Sequence, residues 1–212
     1  MTQTKMSRRK FLQVSAITGG ALIAACGGLT AAGLYEPPVD CPTVKGENKM
    51  DGKILVAYAS FCGSTAGVAQ EIANTITAKG ESVDLMLAKD VKDLSPYKSV
   101  VLGSAIRMGK WKGEAGDFVK KFQGELNQKP TAFFSVCLTI KDDTPENRET
   151  AQAYTEPQRV LVKPVHEAFF AGQVDYQKFS FFTGFLMKNM IKAPEGDFRQ
   201  WDKIKTWAGQ LA

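Results

Sequence analysis

The chain has 212 residues, enough for one domain with extensions or two small domains, and its 44% hydrophobic and 23% charged residues exclude a collagen-like chain or a disordered polyelectrolyte. Four cysteines without a CxxC pair argue against a disulfide scaffold or a zinc or thioredoxin-type site, and a single histidine, His166, rules out a multi-histidine metal centre. The formal charge of +5 raises a nucleic-acid or membrane-surface partner, a question decided by where the cations sit.

Residues 7 to 12 read SRRKFL, followed by an uncharged run from Val14 to Ala25. A basic segment before an apolar stretch of this length has the build of a secretory signal, too short for a permanent span. The pair Arg8 and Arg9 resembles the twin-arginine export signal, which carries folded proteins and so hints at a cofactor. A basic helix lying on a membrane surface is the other reading. Ile23-Ala24-Ala25-Cys26 resembles a lipobox, which implies cleavage before Cys26 and a lipid on it; the alternative is a buried structural cysteine. Residues 1–25 hold Lys5, Arg8, Arg9 and Lys10 and no acid, so the remainder of the chain is close to neutral and nucleic acid is not an expected partner. Residues 26–51, rich in Gly, Pro and small polar residues and without a period, read as a flexible tether that includes Cys41.

From residue 52 to 212 strand and helix alternate. Lys53 to Ala59 is an apolar run expected as a strand buried on both faces of a parallel sheet. A helix from about Thr65 to Ala78 places Val68, Ile72, Ala73 and Ile76 on one side and stops at Gly80. Ser82 to Leu87, Ser99 to Ser104 and Thr131 to Val136 read as further strands, with a helix over Gly113 to Leu126. A polar loop and helix is expected between Lys141 and Lys163, a fifth strand over Glu167 to Ala171, and a closing helix over Trp201 to Leu211. This alternation predicts an α/β fold, a three-layer, doubly wound, parallel five-stranded sheet.

In such a sheet ligands bind beyond the carboxyl ends of the strands. There Ser60-Phe61-Cys62-Gly63-Ser64-Thr65 opens directly into a helix. Hydroxyls, one glycine and a helix amino terminus can wrap a phosphate, although Ser64 or Thr65 could equally be a plain helix cap. Neither GxxxxGK[ST] nor GxGxxG is present, which disfavours nucleoside triphosphates and nicotinamide dinucleotides.

The stretch ILVAYASFCGSTAGVAQEIA resembles the opening of flavodoxin-like proteins, whose loop holds the phosphate of FMN. Ser60, Gly63 and Thr65 match that pattern, Ser64 stands at a variable place, and Cys62 replaces the usual threonine. The chain is similar in particular to the flavodoxin-like family of menaquinone-dependent protoporphyrinogen dehydrogenases. Val101 to Trp111 (VLGSAIRMGKW), Phe133 to Thr139 (FFSVCLT), Phe170-Ala171-Gly172 and Phe179 to Lys192 (FSFFTGFLMKNMIK) follow that family's segments in order. The resemblance implies strand order 2-1-3-4-5 and FMN held by Ser60, Cys62, Gly63, Ser64 and Thr65. It implies a second loop of Ser104, Ala105, Ile106, Arg107, Gly109 and Trp111, and a third of Val136, Cys137, Leu138 and Thr139. Trp111 is an aromatic wall for the flavin or packs on the following helix; Arg107 faces the flavin or forms a surface ion pair.

Cys137 stands where these dehydrogenases have asparagine, and Phe61 and Cys62 where they have basic or polar residues. A disulfide between Cys62 and Cys137 is conceivable, and His166 reads as structural, since no triad accompanies it. The segment Phe179 to Lys192 is a Phe/Met helix that either lies at a bilayer and admits a quinone or packs in the core. The expected protein is an exported, lipid-anchored FMN flavoprotein passing electrons or hydride between a membrane quinone and a redox partner protein or small substrate. The alternatives are a non-enzymatic electron carrier and a flavin-free interaction module.

Overall fold

The apolar run Lys53–Ala59 forms strand β1, and its side chains alternate between two buried layers. The computed structural model describes residues 41–47, 52–61, 63–178 and 194–212. After β1 come α1 (Ser64–Ala78), β2 (Val83–Leu87), β3 (Tyr97–Arg107), β4 (Lys110–Trp111), α2 (Gly113–Lys121), α3 (Gln123–Leu126) and β5 (Thr131–Val136). Then follow α4 (Pro145–Ala153), α5 (Glu156–Arg159), β6 (His166–Phe170), β7 (Gln173–Val174), β8 (Gly196–Asp197) and α6 (Trp201–Ala208).

The parallel strands are ordered β2-β1-β3-β5-β6. With the short antiparallel β4 set aside, this is the expected 2-1-3-4-5 order of a doubly wound sheet. Ile54, Val56 and Tyr58 of β1 join Val68, Ile72 and Ile76 of α1 and Ile204 and Ala208 of α6 in one core layer. Leu55, Ala57 and Ala59 join Phe118 and Val119 of α2, Phe133 and Trp111 in the other. Burial on both faces is why β1 reads as an apolar run from Ile54 to Ala59 and why every residue of β5, Thr131 and Ser135 included, is buried. The far end of the Phe134 ring fills the space beside its strand neighbour Gly103, where an added Cβ would meet Cζ at 1.8 Å.

Residue contacts divide the chain into two units, one of them Pro38–Asp175 with Pro194–Ala212, the sheet domain. The other, Met1–Pro37 with Tyr176–Ala193, is described only at Tyr176–Lys178, a single 3-10 turn. Cys26, Cys62 and the Phe179–Lys192 segment lie outside the described residues.

Three features depart from the expectations. The helix expected over Gly113 to Leu126 breaks at Phe122 (φ −107°, ψ 16°), whose buried ring packs against Phe118 with 4.9 Å between centroids. Residues 105–112 form a hairpin, with Ile106 opposite Trp111 and Arg107 opposite Lys110. Residues 41–47, which composition places in the tether, lie along β2: the Val44 N–H donates to the Leu85 carbonyl at 2.9 Å and the Leu85 N–H donates back at 2.8 Å. Edge pairing of this kind carries no sequence period, because it answers the open edge of β2 rather than a local preference.

Candidate functional site

The strand registers bring three loops to one end of the sheet. Ala59 is level with Ser104, Ser104 with Ser135, and Val136 with Phe170, so loops 60–65, 105–111 and 137–141 all leave the carboxyl ends together. This is where a doubly wound fold places its ligand.

In the first loop Gly63 holds φ +84°, a left-handed conformation that a β-carbon would strain, and donates its N–H to Ser60 Oγ at 3.1 Å. Gly63 also begins α1: its carbonyl accepts the Gly67 N–H, and no side chain caps this helix end. The first-turn N–H groups of Ser64, Thr65 and Ala66 therefore point out of the helix with no partner inside it. Ser64 Oγ accepts the Gln173 N–H at 2.9 Å, which ties the loop to the segment after β6 and keeps the hydroxyl proton for donation. Gly172 passes so close that a Cβ there would stand 3.0 Å from Ser64 Oγ and 3.1 Å from Val136. Thr65 is buried beneath the turn.

The second loop is a tight hairpin. Met108 (φ +53°) and Gly109 (φ +72°) both take positive φ, the signature of a two-residue type I′ turn, and Met108 is 94% exposed at the tip. Ser104, wholly buried, accepts the Lys112 N–H at 2.9 Å and donates to the Ala105 carbonyl, so its hydroxyl closes the hairpin. Ala105 and Ile106 are half-buried along it, and Arg107 is exposed. Trp111, read as a flavin wall or as packing on the following helix, lies in the core layer of Ala115 and Phe118 of α2. Its indole is buried, packs edge-on to Phe133 at 5.1 Å between centroids, and donates Nε1–H to Ser135 Oγ at 2.8 Å. A residue facing Ile106 across the hairpin, with an apolar layer under it, turns inward because that buries a large ring and satisfies its one donor.

In the third loop Val136 ends β5, and Leu138 and Thr139 lie half-buried in a 3-10 turn. Cys137 is a free, buried thiol whose backbone N–H donates to the Phe170 carbonyl. Burial pushes its pKa up, and hydrogen bonds from the Ile140 N–H and from Thr139 oppose this only in part, so the sulfur stays protonated near neutrality.

One cluster carries no motif. Lys112 reaches across the loops: its Nζ donates to the Ser60 carbonyl at 3.2 Å, lies 3.6 Å from Glu114 Oε1 and stands 4.8 Å from the centre of the Phe61 ring. The Arg107 guanidinium lies 5.2 Å from the same ring. Phe61, a departure from the expected polar residue, thus bridges two cations, and positive charge sits beside the first loop. Basic residues flanking the hairpin were the only sequence signal for this arrangement. His166 is exposed at the amino end of β6, away from these loops.

The donor set fits the phosphate end of FMN: first-turn amides with no partner inside the helix, the Ser60 and Ser64 hydroxyls, a left-handed glycine and neighbouring cations. A profile described as a flavodoxin domain matches residues 55–200. The chain belongs to the flavodoxin domain family. FMN is the cofactor of this flavodoxin-like fold, and the loops at the carboxyl ends are the ones that would hold it. The chain is 26% identical over 174 residues to the protoporphyrinogen IX dehydrogenase (quinone) of Escherichia coli (strain K12), spanning 76% of this chain and 94% of that protein. It is 27% identical over 173 residues to the protein of the same description from Leishmania major, spanning 76% and 74%. Among solved structures, the flavodoxin of Streptococcus pneumoniae TIGR4 superposes with a TM-score of 0.50 at 16% identity, covering 74% of this chain and 96% of that one. That last likeness supports the fold.

Proposed function

We propose that the protein is an exported, lipid-anchored FMN oxidoreductase that passes electrons or hydride between a membrane quinone and a partner protein or small substrate. The observation that carries the quinone link is the similarity to a quinone-dependent dehydrogenase over 94% of that protein's length. The twin-arginine pair Arg8 and Arg9 and the lipobox ending at Cys26 support export, with the anchor at the outer face of the cytoplasmic membrane or in the periplasm. An address outside the cytoplasm makes protoporphyrinogen itself a poor candidate for the physiological substrate.

FMN supplies the hydride or single-electron chemistry when bound. The chain supplies position and charge. Ser60, Gly63, Ser64 and the first-turn amides of α1 would hold the phosphate, and Lys112 ties that loop to the hairpin. Arg107 and Lys112 favour added negative charge at this end of the sheet. Cys137, held protonated, acts through shape rather than as a nucleophile.

The test is to purify the full chain and record its visible spectrum, where flavin bands at about 370 and 450 nm are expected. A colourless protein that takes up no added FMN would sink the redox reading. The second step is anaerobic reduction with menaquinol analogues. Absence of quinone turnover alongside fast one-electron exchange with a protein partner would replace the enzyme by a carrier.

A further inference from the structure

Strand β2 is the outer strand of the sheet, and the Leu85 amide and carbonyl facing away from β1 need partners. Val44 supplies both. The pairing is held at each end. Tyr58 donates its hydroxyl to the Pro42 carbonyl at 3.0 Å, and the Gly46 N–H donates to Asp84 Oδ1 at 2.8 Å. Lys53 Nζ donates to the Gly46 carbonyl at 2.9 Å, and Ser82 donates its hydroxyl to the Glu47 carbonyl. Because the pairing is antiparallel to β2, this arm runs from the carboxyl ends of the strands down to the amino ends. Its upstream end, Cys41, therefore stands near the level of the last residues of β1 and β2. Two strand spacings, about 10 Å, separate it from β1 and the phosphate loop.

Without docking, the chain would leave the sheet at Lys53, at the opposite end and about 23 Å lower along the seven residues of β1. With docking, about 15 residues reach back from Cys41 to Cys26, a span of at most about 50 Å that starts at the cofactor end. A second observation lies at the same end: the hairpin tip presents Met108, 94% exposed, between the exposed Arg107 and Lys110. Cations beside an exposed apolar side chain suit an anionic headgroup layer.

We infer that the docked arm sends the amino-terminal anchor out at the cofactor end of the sheet, so that this end, tipped by Arg107, Met108 and Lys110, rests against the lipid surface. The inference rests on the proposed anchoring at Cys26. It adds an orientation: the loops of the candidate site face the bilayer, where an apolar electron carrier resides, and the amino ends of the strands face away.

The test uses the full processed chain in vesicles of phosphatidylethanolamine and phosphatidylglycerol, read by hydrogen exchange and by mass spectrometry of the peptide bearing Cys26. The amides of 105–111 should exchange about tenfold more slowly on vesicles than in detergent, while the amino-end loops around Glu81 and Ser95 stay unchanged. Gly46→Val releases the arm, because a β-carbon at Gly46 would lie 2.6 Å from Ser82 Oγ and 2.7 Å from the Val83 carbonyl. Val44→Pro does so independently by removing the N–H donated to Leu85. In both, faster exchange at Leu85 reports release, and the slowing over 105–111 should fall below about twofold with the protein still membrane-bound. Equal slowing at both ends of the sheet, or undiminished slowing over 105–111 once Leu85 is released, overturns the orientation alone. An unmodified Cys26 overturns the anchoring, and the orientation with it.

Discussion

The two ends of the central sheet handle polar groups in opposite ways. At the amino ends, buried Asp84 accepts from Tyr97 Oη at 2.9 Å, from the Gly46 N–H and from Lys53 Nζ at 3.2 Å, so three protein donors converge on one carboxylate. Burial and the neighbouring carboxylate push the Tyr97 hydroxyl far above its ordinary range, which keeps it a donor. At the carboxyl ends, the first turn of α1 has no side-chain cap, and its amides face outward beside Ser60 and Lys112. Donors closed on the protein stabilise a fold, whereas donors left pointing at a shared opening bind a ligand.

The largest expected effect breaks the closed end. Asp84→Ala leaves Lys53, Tyr97 and the Gly46 N–H without their common acceptor, and should cost about 3 kcal/mol in urea unfolding. FMN affinity of the folded fraction should be unchanged. The open end is broken by Gly63→Val: a branched side chain at φ +84° adds strain of about 2 kcal/mol, which the FMN-free loop escapes by abandoning its conformation. The FMN dissociation constant, measured by flavin fluorescence, should rise about 30-fold, with little loss of stability.

Trp111→Phe sharpens the boundary between the two. The indole stands at the cofactor end yet belongs to the core, so losing its hydrogen bond to Ser135 should lower stability by about 1 kcal/mol and leave FMN affinity alone. A fall in affinity with intact stability would make Trp111 a flavin contact. The smallest effect lies at the surface, just past the third loop. Hydrogen bonds from Arg148 and then Lys203 hold the Asp143 carboxyl below its usual range. A depressed carboxylate stabilises the fold above the ordinary Asp range, and that stabilisation is lost as pH falls through the lowered folded value. The melting temperatures of wild type and Asp143→Asn should therefore differ at neutral pH and converge in acid, with the neutral-pH difference reduced by salt.

Much of the scaffold was legible in the sequence. Lys53–Ala59 and Thr131–Val136 stand as strands with the bounds their apolar runs suggest, and helix α1 begins one residue earlier than its period. The hairpin at 105–112 was not legible, since a two-residue strand has no period and Met108 at positive φ is not a usual turn residue. Arm 41–47 escaped for a related reason: its pairing depends on which strand lies outermost.

Local pattern alone determined the alternation of strands and helices and the position of a phosphate-type loop at a helix start, because hydrophobic period and turn chemistry act over a few residues. Only the tertiary structure decided that Trp111, Ser104 and Cys137 turn inward, that Lys112 reaches the loop from across the site, and where the amino-terminal arm leaves the sheet. Burial and hydrogen-bond partnership are set by residues distant in the chain, and no reading of neighbours along the sequence contains them.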